Sequence, residues 1–182
     1  MPDPRDPRPL IGEPLSLDLL NTRWRGTPVN DLLTDVAGYE IWLASAGLTE
    51  RCPADAAGLE AVRTTRSAIG ELVRAAEEQR PAELAALNEV LRHGRLRREL
   101  TEAGPVETVE VDSPEWLAAW LAADDYLGLL RQGAHRIKAC AHPTCILHFF
   151  DTSQNGRRRW CSMAVCGNRA KAARHYDKVT TR

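Results

Sequence analysis

The chain has 182 residues, of which 43% are hydrophobic and 27% are charged, and its formal net charge is −1 at pH 7. This length suits one domain, or one domain with a small module, and this composition argues against a disordered chain. No apolar run approaches the roughly 18–20 residues of a membrane span and no signal peptide is apparent, which predicts a cytoplasmic protein without a membrane partner.

The first half of the chain predicts mainly helices. Residues 15–20 alternate between apolar and polar side chains and predict a short strand, with the start of a helix as the alternative. Apolar residues at helical spacing then predict three helices, at residues 30–46, 53–79 and 81–93. Asn30 or Asp31 can cap the first of these helices, and Gly47 can end it.

The spacing of the apolar residues then changes from a helical period to a period of two residues. Residues 95–101 and 106–111 alternate on either side of a Gly-Pro turn and predict a β-hairpin. Ser113 and Pro114 are typical of a helix start, and we expect this fourth helix to extend to about Lys138.

Four of the five cysteines lie in one short segment, in two pairs of identical spacing. Four residues separate Cys140 from Cys145, four separate Cys161 from Cys166, and fifteen lie between the pairs. Two such pairs predict a structural Zn²⁺ site, in which four thiolates leave no open coordination position for catalysis. Disulfides and four unrelated buried thiols are the alternatives. A cytoplasmic setting disfavours disulfides, and the symmetric spacing disfavours chance.

The segment around the cysteines predicts the rest of a small module. Residues 146–150 can form one strand, the following Asn-Gly predicts a hairpin turn, and residues 157–160 can return as the second strand. A helix is predicted after Cys166. Knuckle, hairpin, knuckle and helix are the order of a treble clef. The predicted fold class is therefore mainly α with small β elements: a mostly helical domain with a short hairpin over residues 1–135, then a treble-clef-like zinc finger over 136–182.

The charges are unevenly distributed along the chain. Residues 1–130 hold 13 Lys/Arg and 23 Asp/Glu, whereas residues 131–182 hold 11 and 2. This asymmetry favours a polyanionic partner with phosphate groups, because the planar guanidinium offers paired donors to phosphate. The alternative is that the two oppositely charged segments attract each other. The predicted phosphate contacts are Arg157, Arg158, Arg159, Arg169, Lys171, Arg174 and Lys178. Alternation would put Arg157 and Arg159 on one side of the chain and Arg158 on the other, and an inward pairing of Arg169 stays open.

The residues around the second cysteine pair resemble a known family. The run RRWCSM at residues 158–163, followed by CGNR at 166–169, resembles the CGNR zinc-finger family, and the four cysteines correspond to its metal ligands. The run LDLLNT at residues 17–22 and Trp42-Leu43 resemble the ABATE domain that usually precedes this finger. Together the resemblances imply a bacterial, stress-linked transcription regulator with a C-terminal DNA-binding finger. Ile146 and His148 depart from the finger's pattern without affecting the metal site. Asp151 is expected to accept hydrogen bonds in the turn, and Asn168 to cap the last helix.

These observations favour a DNA-binding regulator. The helical domain would then bind a small-molecule effector, form a homodimer, or do both. The loop at residues 21–28, where Trp24 lies between Arg23 and Arg25, could form the rim of a site for an anionic ligand. The alternative function is a zinc-containing protein–protein adaptor without nucleic-acid binding. We expect no enzyme activity and no catalytic residues, because a closed thiolate site cannot activate water.

Overall fold

The computed structural model describes residues 3–172, and these form a helical part (residues 3–136) and a finger (residues 137–172). The helical part has α-helices at Leu15–Leu20 (α1), Val36–Ser45 (α2), Ala56–Glu77 (α3), Ala85–Arg92 (α4) and Leu117–Gly133 (α5). The strands lie at Arg23–Trp24 (β1), Asn30–Asp31 (β2), Gly94–Thr101 (β3), Gly104–Val111 (β4), Ile137–Ala139 (β5) and His148–Phe150 (β6). They pair as three antiparallel two-stranded sheets, β1–β2, β3–β4 and β5–β6. Every helix among the described residues is too short or too polar to span a bilayer. The predicted fold class, mainly α with small β elements, is confirmed.

The core of the helical part is built around α3. Its buried face repeats at helical spacing, from Leu59 and Val62 to Ile69, and packs against α1, α4 and α5. Trp42 of α2 is fully buried in the same core, where its Nε1 donates to Asp18 Oδ2 at 3.1 Å. Each large apolar side chain buried in this way contributes about 1.5–3 kcal/mol. The helical part therefore has a core of its own, and a smaller cluster of Leu17, Leu129 and Phe150 joins it to the finger.

Residues 15–20 form helix α1, so the predicted strand is wrong and its alternative, a helix start, is right. The alternation does not mark an exposed face, because Ser16 and Asp18 are buried like the leucines beside them. Ser16 donates from its Oγ and its backbone N to Asp125 Oδ2, at 2.6 and 2.9 Å. Asp18 Oδ2 accepts from Arg8 Nη1 at 2.7 Å. Polar side chains with such partners can be buried at little cost. The strand prediction assumed that the polar residues of this segment are exposed, and that assumption does not hold here.

Helix α2 begins later than predicted and ends where predicted. Asn30–Asp31 pair with β1 instead of capping a helix. The cap is Asp35, whose Oδ1 accepts from Gly38 N at 2.8 Å. At the other end Gly47 has a φ of 71°, which a residue without a side chain adopts easily and which stops the helix.

The predictions for the later elements of the helical part are confirmed, although some helices begin or end at other residues than predicted. The β3–β4 hairpin pairs along the whole length of both strands. α4 begins at Ala85 rather than near residue 81. α5 ends at Gly133 rather than near residue 138, because the φ of 144° at Gly133 breaks the helix and turns the chain towards β5.

The strand pairing in the finger differs from the prediction. β6 pairs with β5, with Lys138 opposite Phe149, whereas residues 157–160 form no strand. The carbonyl of Arg159 instead accepts a hydrogen bond from Ala141 N at 2.8 Å. The side chains of Ser153 and Asp151 also hold this return segment, because they accept hydrogen bonds from the backbone N atoms of Arg157 and Arg158.

The chain after the second cysteine pair is helical as far as it is described. Met163–Gly167 form a π-helical turn, and residues 168–172 continue as α-helix. The rest of the predicted helix, with Arg174 and Lys178, lies outside the described residues.

Candidate metal centre and nucleic-acid interface

A strand end and a tight turn position the first cysteine pair. Cys140 directly follows β5, and its backbone N donates to Leu147 O at 2.9 Å. The backbone N of Cys145 donates to His142 O, also at 2.9 Å, and so closes the turn between the two cysteines. Both thiols are thereby held at one end of the β5–β6 sheet.

A short helical turn positions the second pair. Ser162 caps this turn, because its Oγ accepts from Val165 N at 3.3 Å and its carbonyl O accepts from Gly167 N at 3.0 Å. Asn168 has helical backbone angles, and its Nδ2 donates to Ala164 O at 3.2 Å. The capping role predicted for Asn168 is therefore wrong, and Ser162 fills it.

The structure brings together all four cysteines of the two pairs. Their Sγ atoms lie within 4.8 Å of one another. Cys161 Sγ is 3.7 Å from Cys145 Sγ and 3.6 Å from Cys166 Sγ, too far for a disulfide in either case. A tetrahedral ion with bonds of about 2.3 Å to sulfur needs sulfur atoms about 3.8 Å apart, so the cluster fits one such ion. The residues present can thus hold a metal ion.

Hydrogen bonds among the thiols make them unequal. The bond with the Cys161 thiol lowers the pKa of the Cys145 thiol to about 5, although burial acts in the opposite direction. The same bond raises the pKa of the Cys161 thiol, and burial raises that of Cys166 to about 11. Because metal ligation requires thiolates, ion binding releases protons from this cluster, and the affinity for the ion falls with falling pH.

A buried carboxylate holds the segment between the two cysteine pairs. Asp151 is fully buried and accepts from Lys138 Nζ at 2.7 Å, from Ser153 Oγ at 2.5 Å and from Arg158 N at 3.0 Å. Burial alone would raise the pKa of Asp151, but the hydrogen bonds from Lys138 and Ser153 outweigh it and hold the pKa well below its usual range. The predicted role of Asp151 as an acceptor in the turn is confirmed. Its partner Lys138 was assigned to a helix and was missed.

Arg158 is half-buried, and its guanidinium bonds both to the finger's backbone and to the helical part. Its Nε donates to Trp160 O at 3.0 Å, and its Nη2 donates to Cys161 O at 2.6 Å and to Glu13 Oε1 at 3.0 Å. The guanidinium carbon lies 4.2 Å from the centre of the Phe149 ring. These contacts fix the backbone at a metal-binding cysteine and occupy donors that a phosphate would need. The role of Arg158 as a DNA contact stays a prediction.

Four other predicted phosphate contacts are exposed, namely Arg157, Arg159, Arg169 and Lys171. Arg157 and Arg159 line an open groove of about 640 Å³, which also includes Arg158 and Trp160 and which we call the basic groove. The Arg159 guanidinium lies 5.2 Å from the centre of the Trp160 ring. No described Asp or Glu lines the basic groove. Arg169 lies elsewhere, in a cleft that it shares with Arg25.

The finger contacts the helical part through residues that the sequence did not single out for this role. Asn21 pairs with the backbone of His148 in both directions: its Nδ2 donates to His148 O and its Oδ1 accepts from His148 N, each at 2.9 Å. Glu13 Oε2 accepts from Phe150 N at 3.0 Å. His148 Nε2 also lies 3.2 Å from Glu77 Oε1, which gives this unusual strand residue a partner on α3. Asn21 belongs to the LDLLNT run, and this run was the available signal.

Two family models match the chain, in the order that the resemblances predicted. Residues 13–133, about two thirds of the chain, match ABATE, which is described as "Putative stress-induced transcription regulator". Residues 136–178 match the CGNR zinc finger. A comparison with curated proteins gave no match. The predicted boundary between residues 135 and 136 stays a prediction.

Proposed function

Because the chain belongs to the ABATE family, we propose that it is a transcription regulator whose finger binds DNA. The basic groove is the observation that carries this proposal. Arg157 and Arg159 are exposed on it, and no described carboxylate lines it to compete for them. Guanidinium groups in such a setting bind phosphate well, and phosphate contacts supply most of the sequence-independent affinity for DNA.

We propose Zn²⁺ as the ion of the four-cysteine cluster. Four thiolates at tetrahedral spacing are the ligand set that Zn²⁺ prefers, and the surrounding residues match a zinc finger. The ion would join two turns that share little backbone pairing, and so would hold the groove-forming segment in shape. With four protein ligands the site has no open position, which supports a structural and non-catalytic role.

A salt titration tests the DNA proposal. Fluorescence anisotropy of the Zn²⁺-loaded full chain with a mixed-sequence duplex would be measured over a range of salt concentrations. Each neutralised phosphate adds about 0.9 to the slope of log affinity against log salt, so two or more contacts should give a slope of at least about 2. The absence of binding at low salt would contradict the proposal.

An adaptor function is the second candidate, and exposed apolar side chains on the finger favour it. Ile146, Met163 and Val165 are 44%, 53% and 37% exposed. Exposed apolar side chains on a small module are typical of protein docking surfaces. Replacing all three with Ser separates the candidates, because a regulator that binds DNA through arginines should keep its DNA affinity. An adaptor would show no salt-dependent DNA binding before or after the change.

We further propose that the helical part has the regulatory role. Regulators that recognise two-fold DNA sites do so as dimers, and in this proposal the helical part forms the homodimer contact. Analytical ultracentrifugation of the full chain with and without DNA tests this: a concentration-dependent dimer supports it, and a monomer under both conditions contradicts it.

A further inference from the structure

A cleft beside the metal centre lies between the finger and the loop that joins β1 to β2. Its volume is about 390 Å³, within the ~300–1,000 Å³ range of small-molecule sites. We call it the loop–finger cleft, and its polar lining residues include Arg25, Thr27, His142, Thr144, Ser162 and Arg169. Three of the clustered cysteines also line it, but a metal ion would lie between their sulfur atoms and would leave most of the cleft open.

The charged side chains that line the loop–finger cleft are cationic. Arg25 and Arg169 both line it, and no described Asp or Glu does. Among the described residues neither guanidinium is paired with a carboxylate. Arg23, two residues before Arg25, differs in this respect, because its Nε donates to Asp31 Oδ2 at 2.8 Å. Within residues 3–172 the two arginines of the cleft are therefore available to an anion from solution.

Arg25 is already held in position to receive such an anion. Its Nη1 donates to Thr144 Oγ1 at 2.6 Å, in the turn that carries the first cysteine pair. Thr144 Oγ1 in turn lies 3.1 Å from His142 Nδ1. An arginine has five N–H donors, so one bond to a hydroxyl leaves others for a ligand. A side chain that is held before binding loses less conformational entropy when the ligand arrives.

The two arginines could instead only balance the charge of the metal centre. Four thiolates around a divalent ion carry a net charge of −2, which two guanidinium groups would offset. This role, however, requires neither an open cleft nor the bond between Arg25 and a threonine hydroxyl. It also predicts that added anions do not bind, so an experiment can separate the two roles.

Apolar side chains in the cleft favour a ligand that has an apolar group beside its anionic group. Trp24, Leu147 and Val165 line the loop–finger cleft together with the arginines. We propose that this cleft binds a small aromatic acid, with its carboxylate or phosphate group held by Arg25 and Arg169 and its ring packed against Trp24. Since Arg25 belongs to the helical part and Arg169 to the finger, the ligand bridges the two parts.

Thermal unfolding of the Zn²⁺-loaded full chain tests this site without DNA. The probes are benzoate and phenyl phosphate, and benzamide is the neutral match. A ligand that binds only the folded state raises the melting temperature in a saturable way. We expect such a rise with at least one of the two anions, at a Kd on the order of 10 µM to 1 mM, and none with benzamide. No rise with either anion at concentrations up to about ten times that range, or an equal rise with benzamide, would overturn the proposal.

Variants locate the binding. Arg25→Gln and Arg169→Gln should each weaken anion binding at least about tenfold, which corresponds to 1.4 kcal/mol. Arg131→Gln is the matched control, because Arg131 is exposed and does not line the cleft. Thr144→Val removes the bond that holds Arg25 but keeps the charge of Arg25, so it should weaken anion binding less than Arg25→Gln does. Zinc content is measured for each variant. Undiminished binding by both Gln variants would place the anion elsewhere and end the proposal. Failure of this proposal leaves the DNA proposal untouched.

Discussion

Arg157 and Arg158 are neighbours in the chain with opposite surroundings. Arg157 is exposed on the basic groove, whereas the guanidinium of Arg158 is bonded to three backbone carbonyls of the finger and to Glu13. Alternation predicted that the two would face opposite sides of the chain, but no strand forms there and both residues line the basic groove. The bond to Glu13 could not be predicted, because Glu13 lies 145 positions away in the chain and such a contact leaves no periodic signal.

For these two residues we predict that Arg158→Gln weakens metal binding and that Arg157→Gln does not. Arg158 Nη2 donates to the carbonyl O of Cys161 at 2.6 Å, and residues that support a metal ligand in this way typically contribute about 10–100-fold in affinity. Competition with a chromogenic chelator measures the effect in both variants. Equal zinc affinities would show that Arg158 does not support the metal site.

At the scale of elements, sequence patterns predicted features set by neighbouring residues, such as turns and helix ends. They missed features set by contacts between residues far apart in the chain. The β3–β4 hairpin follows from alternation on both sides of its turn, and the end of α2 follows from Gly47. The metal site was predicted because two short turns contain all four of its cysteines. The pairing of β6 with β5 was missed, because the strand that precedes the cysteines was read as part of a helix. α1 was missed because its polar residues are buried with partners on other elements.

The link between β2 and α3 gives a prediction about stability. Asp31 accepts from Arg66 Nη1 at 2.6 Å and from Nη2 at 2.8 Å, and Arg66 is buried. Asp31→Asn leaves that charge without its partner and should lower the free energy of unfolding by about 3 kcal/mol at pH 7. Arg23→Gln is the control: it removes an exposed ion pair to the same carboxylate and should cost less than about 1 kcal/mol. Urea denaturation measures both.

The same pair sets a pH dependence. Burial would raise the pKa of Asp31, but hydrogen bonds from Arg66 and Arg23 lower it overall. A carboxyl with a lowered pKa stabilises the fold above its unfolded pKa of about 3.9, and this contribution is lost as the pH falls. The stability difference between wild type and Asp31→Asn should therefore shrink between about pH 5 and pH 3. A constant difference over that range would show that the ion pair is not its source.

Metal removal should affect the finger far more than the helical part. The finger's core consists mainly of the clustered cysteines with Leu147 and Phe149, whereas the helices pack around a larger core that contains none of these cysteines. A chelator should therefore abolish the ordered environment of Trp160 while most of the far-UV helical signal persists. Loss of the whole helical signal together with the metal would contradict this independence.

At the scale of the whole molecule, a few specific contacts join two parts with opposite charge. The excess of acidic residues in the first 130 positions and of basic residues after them suggested mutual attraction. Only some contacts between the parts are ionic, such as that of Arg158 with Glu13. Arg157 and Arg159 remain exposed, which leaves basic charge for an external partner.

Among the residues at the interface between the helical part and the finger, Asn21 is the one whose replacement should lower stability most. It is 1% exposed and makes two hydrogen bonds to the backbone of His148. Asn21→Ala leaves the backbone N–H and C=O of the half-buried His148 without these partners and should cost about 2–4 kcal/mol. Asn88→Ala, on the exposed face of α4, should change stability by less than about 0.5 kcal/mol. Equal effects in urea denaturation would mean that this interface does not depend on Asn21.

The central claim is that the metal-held finger presents Arg157 and Arg159 to DNA phosphates. The most direct test is the salt dependence of DNA binding for Arg157→Gln/Arg159→Gln, beside the control Arg51→Gln/Arg131→Gln, which removes two exposed arginines of the helical part. The first double variant should keep its zinc and lower the slope of log affinity against log salt by about 1–2, whereas the control keeps the wild-type slope. Identical slopes for wild type and both variants would contradict the claim.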